Sequence, residues 1–490
     1  MKSESITKKI LLSGKLRLLS PLLIGSGHGS DDASRDIEIL RNADGQPLIL
    51  GTSLAGVLRA YSMRENPAAA ELLFGTQKTK AGAYDYGLQS AIFLDDVILT
   101  DHVSIEQRDG VSIDAWTGTA IEHHRYDYEA VASGACGSFS AEITLRGLHE
   151  AHAEEIDALL AALYHHLASG FHLGAGTAKG LGRVRIENLS ILPYDFSEKE
   201  DVQRYLRVDR QLPLHPEVLA PLEAAAPAAR DFEVDAWFAI RSSLIVRDYD
   251  VPKEEQPQED APTGEDAPTI VAVMKRVRKG NDADYLIPGS SLKGVLRHHA
   301  QKLLASLQLG IEPLEAIMGP DTQRLEQKCA EKRKSFFYVE EATLKDGVED
   351  AKQTRNRIDR FTNGTIDGSL FTTKPIWQME LGNPVLHLRF GVENAAAHPE
   401  RAGLVLLLLK DLWLGRIAIG GEVGIGRGTV DGVSAAIYDH GTPVTLQRNE
   451  DGSITPVSKD VAARWQGYVD ALCRKEETTA ETEGIKEGLA

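Results

Sequence analysis

Polar and apolar residues alternate along several short stretches of the chain. Ile10, Leu12, Leu16 and Leu18 fall on one side of such a pattern near the start, and FSAEITLRG from Phe139 and FEVDAWFAI from Phe232 repeat it. A period of two predicts half-buried strands. AIFLDDVIL, from Ala91 to Leu99, and FFYVEEATL, from Phe336, read as further strands. Elsewhere the period lengthens to that of a helix. Between Glu154 and Ala168 the residues Ile156, Leu159, Leu160, Leu163 and Leu167 line one face, and GLVLLLLKDLWLG from Gly403 is a second amphipathic segment.

A further helix is predicted by IPGSSLKGVLR, Ile287 to Arg297, where a Pro-Gly turn ends an apolar run and Leu292, Val295, Leu296, Leu303 and Leu304 then recur at helical spacing. A copy, LGTSLAGVLR, stands at Leu50 to Arg59. VSIDAWTGTAIEHHRY matches NRIDRFTNGTIDGSLF, and the glycine loop HLGAGTAKGLG from His172 matches GGEVGIGRG from Gly420. Leu54 corresponds to Leu292, Ile113 to Ile358 and Gly182 to Gly426 at nearly constant offset, so the chain is an internal duplication.

Each half reads as strand, helix, strands, helix, glycine loop, strand. That order predicts an α+β class built from two tandem ferredoxin-like (RRM-like, βαββαβ) domains, each with an inserted hairpin after the third strand region. A doubly wound parallel fold is the alternative, but the hairpins interrupt the βα alternation it needs. The first domain spans 1–195, and a Pro- and Ala-rich connector covers 196–230. The second spans 231–445 with an acidic insert at 248–268, and a C-terminal extension over 446–490 ends in an acidic tail expected to be disordered.

The formal charge of −18 argues against a protein that coats nucleic acid over its whole surface. Eight of the acids are concentrated between Asp248 and Thr269, which leaves room for a local basic groove. Cys136, Cys329 and Cys473 have no metal-like spacing, so no structural zinc is expected and a reducing, cytoplasmic setting is. Lys15 and Arg17 interrupt the first apolar stretch, and Lys410 and Asp411 interrupt the longest, so neither a signal peptide nor a membrane span is expected.

Two features carry candidate chemistry. The helix starts at Ser53 and at Ser290 or Ser291 predict side-chain caps and backbone N–H groups suited to a phosphate, with Gly56 and Gly294 allowing another backbone to approach. The glycine loops follow a helix and open a strand, the reverse of a dinucleotide fingerprint, and lack the Gly-Lys-Ser/Thr of a Walker A loop. No nucleotide cofactor is expected. Lys179, Arg183 and Arg427 would instead lie along a phosphate chain, unless the loops are plain surface turns. The neighbouring pairs His123-His124, His165-His166 and His298-His299 cannot each chelate alone, and His165 and His166 read as helix-surface residues.

The glycine-rich turn after the first strand, the PGSSLKG-type motif, the ID-x-x-TG hairpin and the late glycine loop together resemble the RAMP superfamily of CRISPR-associated proteins. More narrowly, each half resembles a Cas7 backbone subunit of a type III effector, the group of Csm3 and Cmr4, and the pair resembles the double-Cas7 fusions of type III-D. The resemblance implies RRM-like domains that grip a guide crRNA, and thumb hairpins that push between the guide and a single-stranded target RNA. The thumbs would include Ile113, Asp114 and Tyr126 in one half and Ile358, Asp359 and Phe371 in the other. Guide contacts would come from Ser53, Arg59, Lys179, Arg183, Ser290, Ser291, Lys293, Arg297, Arg355, Arg357, Arg360 and Arg427.

The resemblance also implies target cleavage by an aspartate after the first strand, with a divalent metal such as Mg or Mn. Asp36, fifteen residues before Gly51, matches that position, with Asp31 and Asp32 as fallbacks. In the second half Thr269 or Ile270 stands there, so that half is expected to be inert. Implied partners are Cas10-like, Cas5-like, Cas11-like and further Cas7 subunits, and no membrane. A non-catalytic guide scaffold and a Cas6-like processing nuclease are the rival readings.

Overall fold

The computed structural model describes residues 5–27, 36–76, 87–207, 232–248, 269–274, 276–279, 282–321, 331–344, 346–366, 369–449, 451–455 and 457–474. Asp31, Asp32, the acidic insert from 249, the connector from 208 and the tail beyond 474 lie outside them. The chain forms two compact mixed α/β units, Met1–Ala229 and Arg230–Ala490.

In the first unit β1 (Ile6–Leu18) leads to α1 (Gly51–Glu65) and β2 (Val97–Asp101). The hairpin β3 (Ile105–Ile113) and β4 (Ala120–Val131) comes next, then β5 (Cys136–Arg146), α2 (Ala153–Ser169) and β6 (Arg183–Asp195). The sheet runs β2-β5-β1-β6 with every neighbour antiparallel. Alternation in β1 sends Ile10, Leu12, Leu16 and Leu18 to one face, where they meet Leu54 and Leu58 of α1 and Leu159, Leu160 and Leu163 of α2. Each such side chain contributes about 1.5–3 kcal/mol when fully buried. The other face is polar, with Lys15 paired to Asp101 at 2.6 Å and Arg17 to Glu187 at 2.8 Å. A helix over Lys199–Leu206 closes the unit, and the ring of Tyr205 packs against Tyr194 and Phe196. The start of the expected connector is therefore part of the first unit.

The second unit repeats the plan with β7 (Phe232–Ile240), β8 (Thr269–Met274), α3 (Gly289–Ser306) and β9 (Phe337–Val339). There follow β10 (Gln353–Arg355), β11 (Phe371–Lys374), β12 (Leu386–Val392), α4 (Pro399–Trp413), β13 (Val430–Asp439), β14 (Thr442–Gln447) and α5 (Lys459–Cys473). Its main sheet runs β9-β12-β7-β13-β14. β9 is the counterpart of the short strand Ile92–Leu94, which pairs with β5 as β9 pairs with β12, and β12, β7 and β13 stand in the same order as β5, β1 and β6.

The extension from 446 is not separate from the second unit. Helix α5 lies so close to α4 that a Cβ on Gly403 would sit 2.3 Å from the Tyr468 carbonyl oxygen. Asp439, whose side chain is fully buried, accepts hydrogen bonds from Arg464 Nε (2.7 Å), Trp465 Nε1 (3.2 Å) and Tyr468 Oη (3.1 Å). A carboxylate buried this way is tolerated because three donors converge on it.

Several local expectations are corrected. The N-caps of α1 and α3 are Leu50 and Pro288, with no side-chain cap, so Ser53, Ser290 and Ser291 lie inside the first turns. The first N–H of α1, from Gly51, donates to Asp96 Oδ1 at 2.7 Å, and the chain's own carboxylate takes the place expected for a phosphate. Gly56 and Gly294 face open space. His166 is not a surface residue: its ring stacks on Tyr61 at 3.8 Å, and burial, followed by Arg64, His165 and His172, pushes its pKa down to about 4.

The glycine loops are needed for packing. A Cβ on Gly182 would lie 1.9 Å from Leu173 O and one on Gly428 2.0 Å from Ile419 O, and both residues have positive φ. Both donate N–H to a carbonyl just after the first strand of their unit, to Pro21 O and Ser243 O, each at 2.7 Å. Gly182 therefore corresponds to Gly428 rather than to Gly426.

Candidate nucleic-acid interface

The two inserted hairpins share one turn. Asp114 Oδ1 accepts the N–H groups of Trp116 (3.0 Å) and Thr117 (2.7 Å) and the Thr117 hydroxyl (2.8 Å). Asp359 Oδ1 accepts Phe361 N–H (2.8 Å), Thr362 N–H (2.8 Å) and the Thr362 hydroxyl (3.2 Å). Such aspartate turns fix a loop tip without a core beneath it. Hydrogen bonds from the Thr362 and Phe361 backbones hold the Asp359 carboxyl below its usual range.

Each turn lifts one aromatic ring into solvent: Trp116 is 67% exposed and Phe361 98%. Rings of that size are ordinarily buried. Exposed Val111 and Ile113 accompany the first and exposed Ile358 and Ile366 the second, together with exposed Arg357 and Arg360. Apolar tips of this kind beside guanidinium groups offer stacking surface and phosphate contacts. Sequence reasoning named the flanking Ile113, Asp114, Ile358 and Asp359 and missed the rings. The signal was present in the D-x-[WF]-T spacing common to both copies.

Tyr126 and Phe371 are not at the tips. The Tyr126 ring lies over Gly110, whose added Cβ would meet it at 2.2 Å, and Phe371 lies 4.9 Å beneath the Arg355 guanidinium. They belong to the hairpin bodies.

The two hairpin bases are built from different chemistry. Leu23, Tyr128, Ala130 and Leu181 form a small apolar cluster in the first unit. At the position of Leu181 the second unit has Arg427, 2% exposed, whose Nε donates to Glu422 Oε2 (2.8 Å) and whose Nη1 donates to Ser243 Oγ (2.7 Å). Glu422 adopts a left-handed φ of 57° and also accepts from Arg355 Nη2 at 2.6 Å. Arg427 is thus unavailable to a phosphate chain, and Arg355 is held at the hairpin base. Arg297 also turns inward and donates to Gly319 O at 2.6 Å, and Lys293 Nζ donates to Ser335 Oγ at 2.7 Å. Arg59 is exposed, and Lys179 and Arg183 are half-buried.

Asp36 lies exposed beside the base of the first hairpin. Its N–H donates to Asp127 Oδ1 and its Oδ2 accepts the Asp127 N–H, both at 3.0 Å. Asp109 pairs across the hairpin with Asp127. Strand pairing identifies the counterparts in the second unit. Leu22 bridges Val131 as Leu244 pairs with Ile376, and Ile37 bridges Tyr128 in parallel as Ala272 pairs with Thr373. Ile270 pairs with Thr372 and Ala272 with Thr373, with Val271 the extra residue between them, so Ile270 stands opposite the counterpart of Asp127 as Asp36 does in the first unit, and Asp109 and Asp127 correspond to Thr354 and Thr372. The two threonine hydroxyls are 2.8 Å apart. Acid is absent from all three positions.

Among the described residues no group of three or more His, Cys, Asp or Glu is arranged to hold a metal. None of the described helices is long and apolar enough to cross a membrane. No curated protein matches the chain. The RAMP superfamily model matches residues 15–185 and again 263–431. With one match in each unit and well over half of its length covered, the chain is a member of the RAMP superfamily, carrying that domain twice.

Proposed function

We propose that the chain is an RNA-binding backbone subunit of a type III CRISPR effector, which holds guide RNA with both repeats and cuts bound target RNA through the first. The observation that carries this reading is the pair of matched hairpins, each lifting an exposed ring, Trp116 or Phe361, on an aspartate-anchored turn. The antiparallel order β2-β5-β1-β6 supports a ferredoxin-like core, from which these hairpins act as thumbs. Their rings stack on bases opened between guide and target, while Arg357 and Arg360 meet phosphates.

Asp36 is the proposed cutting group. Its carboxylate takes the proton of a target 2′-hydroxyl, the freed 2′-oxygen forms a bond to the adjacent phosphorus, and the bond from phosphorus to the 5′-oxygen breaks. That oxygen leaves with a proton from solvent, and a cyclic phosphate remains. The exposed carboxylate of Asp36 fits Mg²⁺ or Mn²⁺, which bind through one or two carboxylates plus phosphate and water. When bound, such an ion offsets the charge building on the phosphate.

The test is cleavage of a guide-matched target by the assembled complex. Asp36→Ala is expected to keep RNA affinity and abolish one cut. Persistence of that cut would leave the chain a non-catalytic scaffold. Replacing Arg357 and Arg360 by alanine should weaken RNA binding and reduce its logarithmic salt slope by about 0.7 per lost contact.

A further inference from the structure

Asp36 is held by the hairpin. Besides the two reciprocal bonds to Asp127, the Ile37 N–H donates to Asp127 O at 3.3 Å and the Glu129 N–H donates to Ile37 O at 3.0 Å. Farther along, Glu129 Oε2 accepts from Arg41 Nη2 at 2.9 Å. The segment from Asp36 to Arg41 is thus fastened along β4, the second strand of the hairpin, 91 positions away in sequence at its first contact. Two neighbouring carboxylates repel each other, and here each is compensated by the other's backbone N–H.

The arrangement occurs in one repeat only. Thr372, the counterpart of Asp127, turns its hydroxyl across the hairpin to Thr354 instead. The acceptor therefore stands beside the strand that carries an aspartate and is missing from the repeat that lacks one. Holding the Asp36 backbone restricts where its carboxylate can point, and a misplacement of about 1 Å at a reacting group can cost roughly 100-fold in rate.

We propose that Asp127 is the positioning residue for Asp36: its side-chain oxygen fixes the Asp36 N–H and so aims the cutting carboxylate from the thumb strand. This rests on the reading of Asp36 as the cutting group. The role needs an acceptor oxygen, not a charge, so asparagine can fill it and alanine cannot.

The test uses the assembled complex under single-turnover conditions, with target-RNA affinity measured in parallel. Asp36→Ala should abolish the cut; if it does not, the reading beneath the proposal fails, whatever Asp127 does. With that control in place, Asp127→Ala should cut at least about tenfold more slowly at unchanged affinity, and Asp127→Asn should stay within about threefold of the parent. Asp127→Val, which suits a strand and has no acceptor, is a second truncation should the alanine variant not assemble, and it should be equally slow. Parental rates in the truncated variants overturn the proposal. So does an asparagine variant as slow as alanine, which would mean that the charge of Asp127 acts directly.

Discussion

Arg427 Nε donates to Glu422 Oε2 at 2.8 Å, at the place where Leu181 packs against Tyr128 in the first unit. One junction between glycine loop and hairpin has been built twice, once from apolar side chains and once from ions. Removing only one member of a buried pair leaves a charge without its partner. Arg427→Leu is therefore expected to destabilise the second unit by about 3 kcal/mol in denaturant unfolding. Adding Glu422→Gly restores the first unit's pattern at these two positions but also takes away a partner of Arg355, so it should recover only part of that loss. Simple additivity of the two changes would contradict this account.

The stack of His166 on Tyr61 predicts a pH effect with a definite sign. The folded state keeps this imidazole neutral down to about pH 4, whereas the unfolded chain protonates it near 6.5. The unfolded state therefore binds more protons between those values, and stability falls as pH drops from about 6.5 to about 4. His166→Phe, which keeps a ring against Tyr61, should flatten that part of the stability profile of the first unit. An unchanged profile would show that other groups set it.

The ring tips make a prediction that separates binding from folding. Trp116 and Phe361 touch little of their own units, so replacing either by alanine should leave unfolding midpoints unchanged. Each loss should weaken RNA binding by about 1–3 kcal/mol, the worth of one base–aromatic stack. Tyrosine at either position should retain most of the affinity.

The contact between α4 and α5 is equally testable. Gly403→Ala puts a methyl group 2.3 Å from Tyr468 O, and such overpacking costs about 1–3 kcal/mol. Faster amide exchange confined to α5 and the facing side of α4 is the expected readout.

What was legible in the sequence follows physical lines. Alternation and helical spacing are local, so β1, β5, β7, α2 and α4 could be read directly, and the duplicated motifs gave the repeat. Long-range register is not local. The link of Asp36 to Asp127 spans 91 positions, and the residue that faces Thr372 in the second unit emerges only from the pairing of β8 with β11. Side-chain direction was likewise hidden: Arg427 and Arg360 look alike in sequence, yet one fills a leucine's place in the interior and the other stands in solvent. The serines after Pro288 read as caps because their type favours capping, but the helix begins before them.

The close seat of α5 on α4 also bears on how the protein is made. A chain emerging from the ribosome has every described element of the first unit once the helix ending at Leu206 is out. The second unit has no such early closure: Asp439 and the groove at Gly403 wait for residues 464–468, and until those arrive the outer side of α4 stays uncovered. Translation thus releases all the described elements of the first repeat well before the second can lock.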